Sequence, residues 1–316
     1  MGAAAALGER GRGNTAPNPN VGCVIVKDGV VAGRGWTQPG GRPHAEAMAL
    51  AEAGESARGA TAYVTLEPCC HRSERGPACA ELLAEAGVER VVAALTDPDP
   101  RVAGGGFERL RAAGIEVETG PGADEAGRSM AGFLARVRLG RPFVTLKLAM
   151  SLDGKIALPS GESRWITGED ARAHVHLERA RCDMILVGRG TYERDRPKLD
   201  VRLPGLEERS PRRALLTRGD AVEGWTRLGA PEEIHGLGDV NDLLVEGGSA
   251  TASAFLAADL VDRMLIYRAP ILIGEGKSSV GYIGLTDLAD AHRRWILADS
   301  RMLGIDRLEV YERKRD

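Results

Sequence analysis

Aromatic residues are scarce, at 4% of the chain, and so is net charge: 42 Lys and Arg stand against 45 Asp and Glu, a balance of -3. A groove for RNA or DNA needs basic side chains interleaved with aromatic stacking platforms, so no nucleic-acid partner is expected. The same balance offers nothing to an anionic membrane surface. No apolar run nears the roughly 20 residues that span a bilayer. The Ala-rich start is followed by charge (Glu9, Arg10, Arg12), the reverse of a signal peptide. Only five cysteines occur, an odd number, and three of them (Cys69, Cys70, Cys79) fall within eleven residues. Without a secretion signal, such a cluster favours metal or catalysis over a disulfide framework, and the expected compartment is the cytoplasm.

What is there is an ordinary globular composition over 316 residues, 43% hydrophobic and 28% charged, enough chain for two separate cores. Residues 21–26 form a β-branched run that ends in the turn Lys27-Asp28-Gly29, after which Val30-Val31 resumes a strand. Helices are expected over 44–53, 79–86 and 107–113, and strands over 60–66, 88–95 and 115–118. Gly87 and Gly114 supply left-handed caps. This alternation predicts a mostly parallel, three-layer α/β sheet. A helix over 126–137 precedes a break at Gly140-Arg141-Pro142, so the expected domains are 1–140 and 141–316. The second half repeats the rhythm, with strands over 143–150, 184–187, 213–217, 243–245, 263–267 and 308–311, a helix over 172–181 and another ending at Leu256.

The densest chemistry lies in the first half. His44-Ala45-Glu46 opens a helix, Glu67-Pro68-Cys69 follows a strand, and Cys79 starts the next helix. One imidazole and two thiolates suit Zn²⁺ and leave a fourth position for water, whose pKa the ion lowers to about 7. Glu46, beside that ligand set, can carry protons between the water and a leaving amine, as in zinc deaminases generally. A lone His or Cys is usually structural. A structural zinc needs four protein ligands, and Cys70 or His71 can complete that set, but Glu46 then has no task.

Several motifs together resemble one family. They are Asn18-Pro19-Asn20-Val21-Gly22, Pro43-His44-Ala45-Glu46, Tyr63-Val64-Thr65-Leu66-Glu67-Pro68-Cys69, and Asp97-Pro98-Asp99-Pro100 with Val102-Ala103-Gly104. The family is the bifunctional diaminohydroxyphosphoribosylaminopyrimidine deaminase and 5-amino-6-(5-phosphoribosylamino)uracil reductase of riboflavin biosynthesis. The resemblance implies a cytidine-deaminase-like α/β/α fold for the first half. It makes His44, Cys69 and Cys79 the zinc ligands and Glu46 the catalytic proton shuttle, with Asn18 and His71 on the substrate. The chain departs from the family pattern in one loop. Cys70 stands where the family has Ser, and nine residues, 70 to 78, separate Cys69 from Cys79 where the family has eight. Arg72 and Arg75 occupy the loop where a phosphate-binding Lys is expected.

The second half carries weaker chemistry on its own. Gly188-Arg189-Gly190 lacks the third glycine of a dinucleotide fingerprint, so a Rossmann fold is not expected. Glu246-Gly247-Gly248-Ser249 is a Gly-rich turn between a buried strand and a helix, either an ordinary tight turn or a phosphate cradle. Cys23 and Cys182 read as buried thiols, and His174 and His176 as structural. The resemblance adds Thr145-Leu146-Lys147, the run Ser151 to Ile156, the run Ser160 to Thr167, and Val245-Glu246-Gly247-Gly248. It implies a dihydrofolate-reductase-like α/β domain that uses NADPH. Ala149, Trp165, Thr191, Asp195, Gly248, Ser249, Ala250, Thr251, Ala252 and Ser253 would then hold the cofactor. Lys147, Ser163, Arg179, Leu199, Arg202 and Glu246 would hold the substrate, with arginines suited to its phosphate. The match is weakest over 207–239, where this chain is shorter than the family's usual length.

The implied reactions are deamination of 2,5-diamino-6-(5-phosphoribosylamino)pyrimidin-4(3H)-one and NADPH reduction of the resulting ribosyl-aminouracil to its ribityl form. The expected partners are this small phosphorylated pyrimidine and further copies of the chain. Three alternatives keep the zinc site. One is a deaminase of another nucleobase or of nucleic acid with a non-reductase second domain. Another is a non-catalytic zinc-stabilised binding protein, and the last a deaminase with a decayed reductase half.

Overall fold

The computed structural model describes residues 1–71, 76–100 and 102–315. The chain divides into two units, Met1–Gly140 and Arg141–Asp316.

In the first unit the Ala-rich start forms helix α1 (Gly2–Gly8), which lies directly on strand β1 (Gly22–Lys27). A Cβ on Gly22 would stand 1.9 Å from the Ala4 carbonyl oxygen, so only glycine admits this approach. Asp28 and Gly29 both take left-handed angles, φ 51° and 77°, and turn β1 into β2 (Val30–Trp36). Helix α2 (Ala45–Ala53) packs on β2 the same way. Cβ atoms on Gly33 and Gly35 would fall 2.1 Å from the Ala49 carbonyl oxygen and 2.2 Å from that of Ala45. There follow β3 (Thr61–Val64), α3 (Cys79–Glu85), β4 (Arg90–Ala93), α4 (Gly105–Ala112) and β5 (Glu116–Thr119). The sheet order is β2-β1-β3-β4-β5.

Two expectations are corrected here. Only β3–β4 and β4–β5 are parallel, while β1 runs antiparallel to both its neighbours. The two-residue Asp28-Gly29 turn leaves no length for a crossover, which a parallel pair needs. The single helix expected over 126–137 is two, α5 (Ala123–Ser129) and α6 (Ala131–Leu139). They break at Met130 (φ -101°, ψ 20°), whose side chain is fully buried with Ile25, Val64, Leu83 and Leu110 in one core cluster.

The second unit contains β6 (Phe143–Met150), β7 (Lys155–Ala157), α7 (Glu169–Ala180), β8 (Met184–Gly188), α8 (Arg189–Asp195), β9 (Arg212–Leu216) and β10 (Thr226–Leu228). It continues with β11 (Asp242–Val245), α9 (Ser249–Ala257), β12 (Arg263–Arg268), β13 (Lys277–Ser278), β14 (Trp295–Leu303) and β15 (Asp306–Arg313). The sheet order is β10-β9-β8-β11-β6-β12-β15-β14. The first six strands in that order are parallel, and β15 and β14 close the edge antiparallel. Strands β8 and β11 are buried along their whole length, as a covered parallel sheet requires, and their sequences are correspondingly apolar. Arg141 grips Asp262 through two hydrogen bonds of 2.6 and 2.8 Å, and Asp262 also accepts from the Val144 N–H at 2.9 Å, tying the entry of β6 to that of β12. Strand β14 was not expected: Ile296, Leu297 and Met302 are exposed, so its pattern shows no inward alternation. Among the described residues no helix is long and apolar enough to cross a membrane.

The parallel order places β6 in the interior, with β11, β8, β9 and β10 to one side and β12 to the other. Chain direction through the sheet therefore reverses near β6 and β11. Open parallel sheets bind ligands outside the carboxyl ends of their strands at such a reversal.

Candidate functional site

In the first unit, the contact between α2 and β2 sets the height of His44 and Glu46 over the sheet. His44 is the extended N-cap of α2 (φ -74°, ψ 164°), and Glu46 sits in the helix's first turn, 3% exposed. Cys69 follows β3, and Cys79 is the first residue of α3; both are buried. The donor atoms of His44, Cys69 and Cys79 all lie within 4.8 Å of one another. His44 Nδ1 is 3.3 Å from Cys79 Sγ and 3.6 Å from Cys69 Sγ. Zn–S of about 2.3 Å and Zn–N of about 2.0–2.1 Å give tetrahedral edges of roughly this length. The thiols are all free.

The electrostatics fit a cation. The Cys69 thiol is held well below the usual thiol range by its hydrogen bonds with Cys79 and His44, against the cost of burial. Cys79, sharing that hydrogen bond and more deeply buried, is pushed the other way. The pair thus gives up one proton readily and a second only with positive charge beside it. Burial pushes the Glu46 carboxyl up, and the nearby Cys69 adds to this, opposed by His44. A carboxyl raised in this way holds a proton more readily than a solvated one, as a proton carrier beside a metal-bound water requires.

Cys70 is half-buried against Gly105 and His71 is exposed; neither joins the donor cluster. A four-ligand set is therefore absent among the described residues. Asn18 is half-buried, and its Nδ2 donates to the Gly41 carbonyl at 3.1 Å. Gly41, at φ 85°, leaves no room for a side chain there, since a Cβ would fall 1.8 Å from that nitrogen. Arg72 and Arg75 lie outside the described residues.

Glu67 was legible only as part of a motif. It is 3% exposed, and its carboxylate accepts four backbone N–H groups: Asp97 at 3.2 Å, Gly104 at 3.0 Å, Gly106 at 2.9 Å and Phe107 at 3.3 Å. Asp97, largely buried and close to Asp99 and Glu67, has its carboxyl pushed up to about 6, chiefly by burial.

In the second unit a cleft of about 990 Å³ opens at the carboxyl ends of β6, β8, β9 and β11. Its lining brings together Lys147, Ala149, Ser163, Trp165, Arg179, Thr191, Asp195, Leu199, Arg202, Glu246, Gly248, Ser249, Ala250 and Thr251. Ala252 and Ser253 are not among the lining residues. A helix turns 100° per residue, so only the first turn of α9 faces the cleft. Ala252 is fully buried in the sheet core, and the Ser253 hydroxyl accepts from the Gly281 N–H at 2.8 Å.

Polar contacts order the cleft floor. Arg179 donates Nε to Glu246 Oε1 at 2.7 Å and Nη2 to Oε2 at 2.9 Å, and Lys147 Nζ stands 3.8 Å from Oε2. Burial raises the Glu246 carboxyl, but the attraction of Arg179 and Lys147 outweighs it and the net shift is down. Burial lowers the Lys147 ammonium, opposed by Glu246. The turns after β8 and β11 meet at Thr251. A Cβ on Gly188 would lie 2.1 Å from Thr251 Oγ1, and one on Gly247 2.4 Å from Thr251 Cβ. Gly188, read from sequence as a failed fingerprint, is thus a packing position. At the mouth, Trp165 is 67% exposed with the Arg172 guanidinium 4.6 Å above its ring. Arg202 pairs with Asp200 at 3.6 Å. His174 shares a 2.7 Å hydrogen bond with the buried Tyr267 hydroxyl, and His176 one of 3.1 Å with the Asp200 carbonyl.

This geometry defines a zinc-type deaminase unit joined to a parallel α/β unit with a ligand cleft, and comparison with known proteins agrees. Residues 1–95 match the cytidine and deoxycytidylate deaminase zinc-binding region, and residues 142–230 and 230–306 match the RibD C-terminal domain. The chain belongs to the RibD family of bifunctional riboflavin-biosynthesis enzymes. It is 40% identical to riboflavin biosynthesis protein RibD of Haemophilus influenzae, over 95% of this chain and 93% of that protein. It is 42% identical to the Escherichia coli RibD, over 92% of each. The solved Acinetobacter baumannii RibD superposes with a TM-score of 0.90 at 38% identity, covering 99% of this chain and 97% of that one. The Thermotoga maritima diaminohydroxyphosphoribosylaminopyrimidine deaminase/5-amino-6-(5-phosphoribosylamino)uracil reductase gives 0.88 at 32% identity, covering 98% and 97%. The two units accordingly have the cytidine-deaminase-like and dihydrofolate-reductase-like folds.

Proposed function

We propose that the chain carries out both reactions of its family, with each unit running one of them. The observation that carries the reading is the buried Glu46 beside His44, Cys69 and Cys79, a constellation with little purpose outside amine hydrolysis. Zinc bound by those three side chains supplies a Lewis acid that makes water nucleophilic at neutral pH. Glu46 takes a proton from the attacking water and returns one to the departing nitrogen, so that the amine at C2 of the pyrimidinone leaves as ammonia. Asn18 and His71 are proposed to hold the base and its attached sugar phosphate.

In the second unit NADPH supplies the hydride that reduces C1 of the ribosyl group. Thr191, Asp195 and the turn Gly248-Ser249-Ala250-Thr251 are proposed to hold the cofactor, its pyrophosphate at the start of α9. Ala149 and Trp165 complete its walls. Arg179 and Arg202 suit the ribose phosphate, Ser163 and Leu199 border the substrate, and Glu246 holds Lys147 at the reacting carbon. The lowered Lys147 ammonium can release a proton to the opening sugar ring. Self-association and a cytoplasmic location belong to the same reading; light scattering and cell fractionation test them.

The test is an assay on zinc-loaded protein with the diaminopyrimidinone ribosyl phosphate, following ammonia release and NADPH oxidation separately. Both signals together support the reading, and silence in both would remove it.

A further inference from the structure

The carboxylate of Glu67 collects four backbone N–H donors, those of Asp97 and Gly104 and two from the first turn of α4. Those of Gly106 and Phe107 are orphan amides at the positive end of a helix, where an anion is favoured. The same helix start bears on the peptide between Glu67 and Cys69: a Cβ on Gly106 would fall 1.9 Å from the Pro68 carbonyl oxygen. The Glu67 N–H in turn donates to the Leu95 carbonyl at 2.8 Å, holding the residue to the end of β4. On its other side Cys69 is held by α3, through Ala80 N–H to its carbonyl at 3.1 Å and Cys79 N–H to its sulfur at 3.3 Å.

We propose that Glu67 is a positioning residue for the zinc site: by clamping Asp97, Gly104 and the start of α4 beside Pro68, it fixes where Cys69 presents its sulfur. This rests on the reading of Cys69 as a zinc ligand. A glutamine of the same size does not replace it. Four donors converge on two oxygens, so an amide leaves one pair facing an NH₂ group, donor against donor. Outer partners of metal ligands commonly contribute about 10–100-fold to metal affinity.

The experiment compares the full-length wild type with Glu67→Gln, Gly106→Ala and Cys69→Ser. It measures zinc affinity by chelator competition, the sulfur-to-cobalt charge-transfer bands of the Co²⁺-substituted protein, and amide exchange. Glu67→Gln is expected to weaken zinc about 10–100-fold, to shift the cobalt bands, and to speed exchange at Gly104, Gly106 and Phe107. If Glu67→Gln does not fold, Gly106→Ala must displace the same cobalt bands by pressing on Pro68. Wild-type zinc affinity and cobalt bands in a folded Glu67→Gln, even with faster exchange, would overturn the proposal and leave Glu67 a local cap. Wild-type cobalt bands in Cys69→Ser would instead overturn the ligand reading, and the proposal with it.

Discussion

Arg179 and Glu246 face each other as a fork and a carboxylate, joined by two parallel hydrogen bonds from side chains that are 13% and 8% exposed. They come from α7 and from the turn after β11, so the pair spans the floor of the second unit's cleft. Lys147 completes the charge arrangement from β6, with one anion between two cations.

Replacing Arg179 by Lys keeps the charge and removes the fork. One charge-assisted hydrogen bond of about 1.5–3 kcal/mol is lost, or about 10–100-fold in kcat/KM for NADPH oxidation. Ammonia release from the diaminopyrimidinone substrate is expected to stay at the wild-type rate. Steady-state kinetics with the two signals recorded separately check this, and an equal fall in both would contradict it.

Glu46→Gln is isosteric and removes the proposed proton shuttle. Ammonia release is expected to fall by about 10²–10⁴-fold while zinc content stays at the wild-type level. Reduction of the ribosyl-aminouracil, supplied directly, should be unchanged. Metal analysis beside both assays decides it, since loss of zinc would assign Glu46 to the ligand set instead.

Asp183, just before β8 and at the opposite end of that strand from the cleft, gives a separate pH signature. Burial and the neighbouring Asp242 push its carboxyl up to about 6, although its Oδ2 accepts the N–H groups of Asn241 and Asp242. A raised carboxyl favours the protonated form in the folded state. Its contribution is therefore full below the unfolded value of about 3.9 and is lost as pH rises through about 6. Asp183→Asn keeps an acceptor oxygen and cannot ionise. Its stability relative to wild type should rise by about 1–3 kcal/mol between pH 4 and pH 7. Thermal melts across that range would show parallel curves if the carboxyl were not raised.

Gly188→Ala places a methyl group against Thr251 and should cost about 1–3 kcal/mol from overpacking, with weaker NADPH binding as the α9 turn shifts. Removing the obstacle with Thr251→Ala in the same chain should recover most of the stability. A double-mutant cycle by chemical denaturation reads the coupling. Additive losses would place the strain elsewhere.

The clustering of His44, Cys69 and Cys79 was legible because a metal centre demands rare residue types at the ends of neighbouring elements, and these three stand there. The parallel core was legible for a similar reason. Strands β8 and β11 are covered on both faces, so their apolar runs are continuous. The missed parts share a different cause. The Glu67 carboxylate is satisfied by backbone N–H groups distant in sequence, which no side-chain pattern reports. Ala252 and Ser253 came in as part of a contiguous stretch, whereas the rotation of α9 presents only its first turn. Strand β14 has exposed apolar side chains, so alternation could not mark it. The antiparallel pairing of β1 was signalled by Asp28-Gly29, but the strand-helix rhythm outweighed that local cue.

Helix α2 rests on β2 through bare backbone at Gly33 and Gly35. Any side chain there would have to lift the helix by more than about 1 Å to regain an ordinary contact distance. His44 and Glu46 ride on that helix and would rise with it, away from Cys69 and Cys79. The seam thus behaves as a gauge block whose thickness the chemistry cannot let vary. Change in what this unit accepts must come from the loops around it, and a library that randomises Gly33 and Gly35 should return glycine at both.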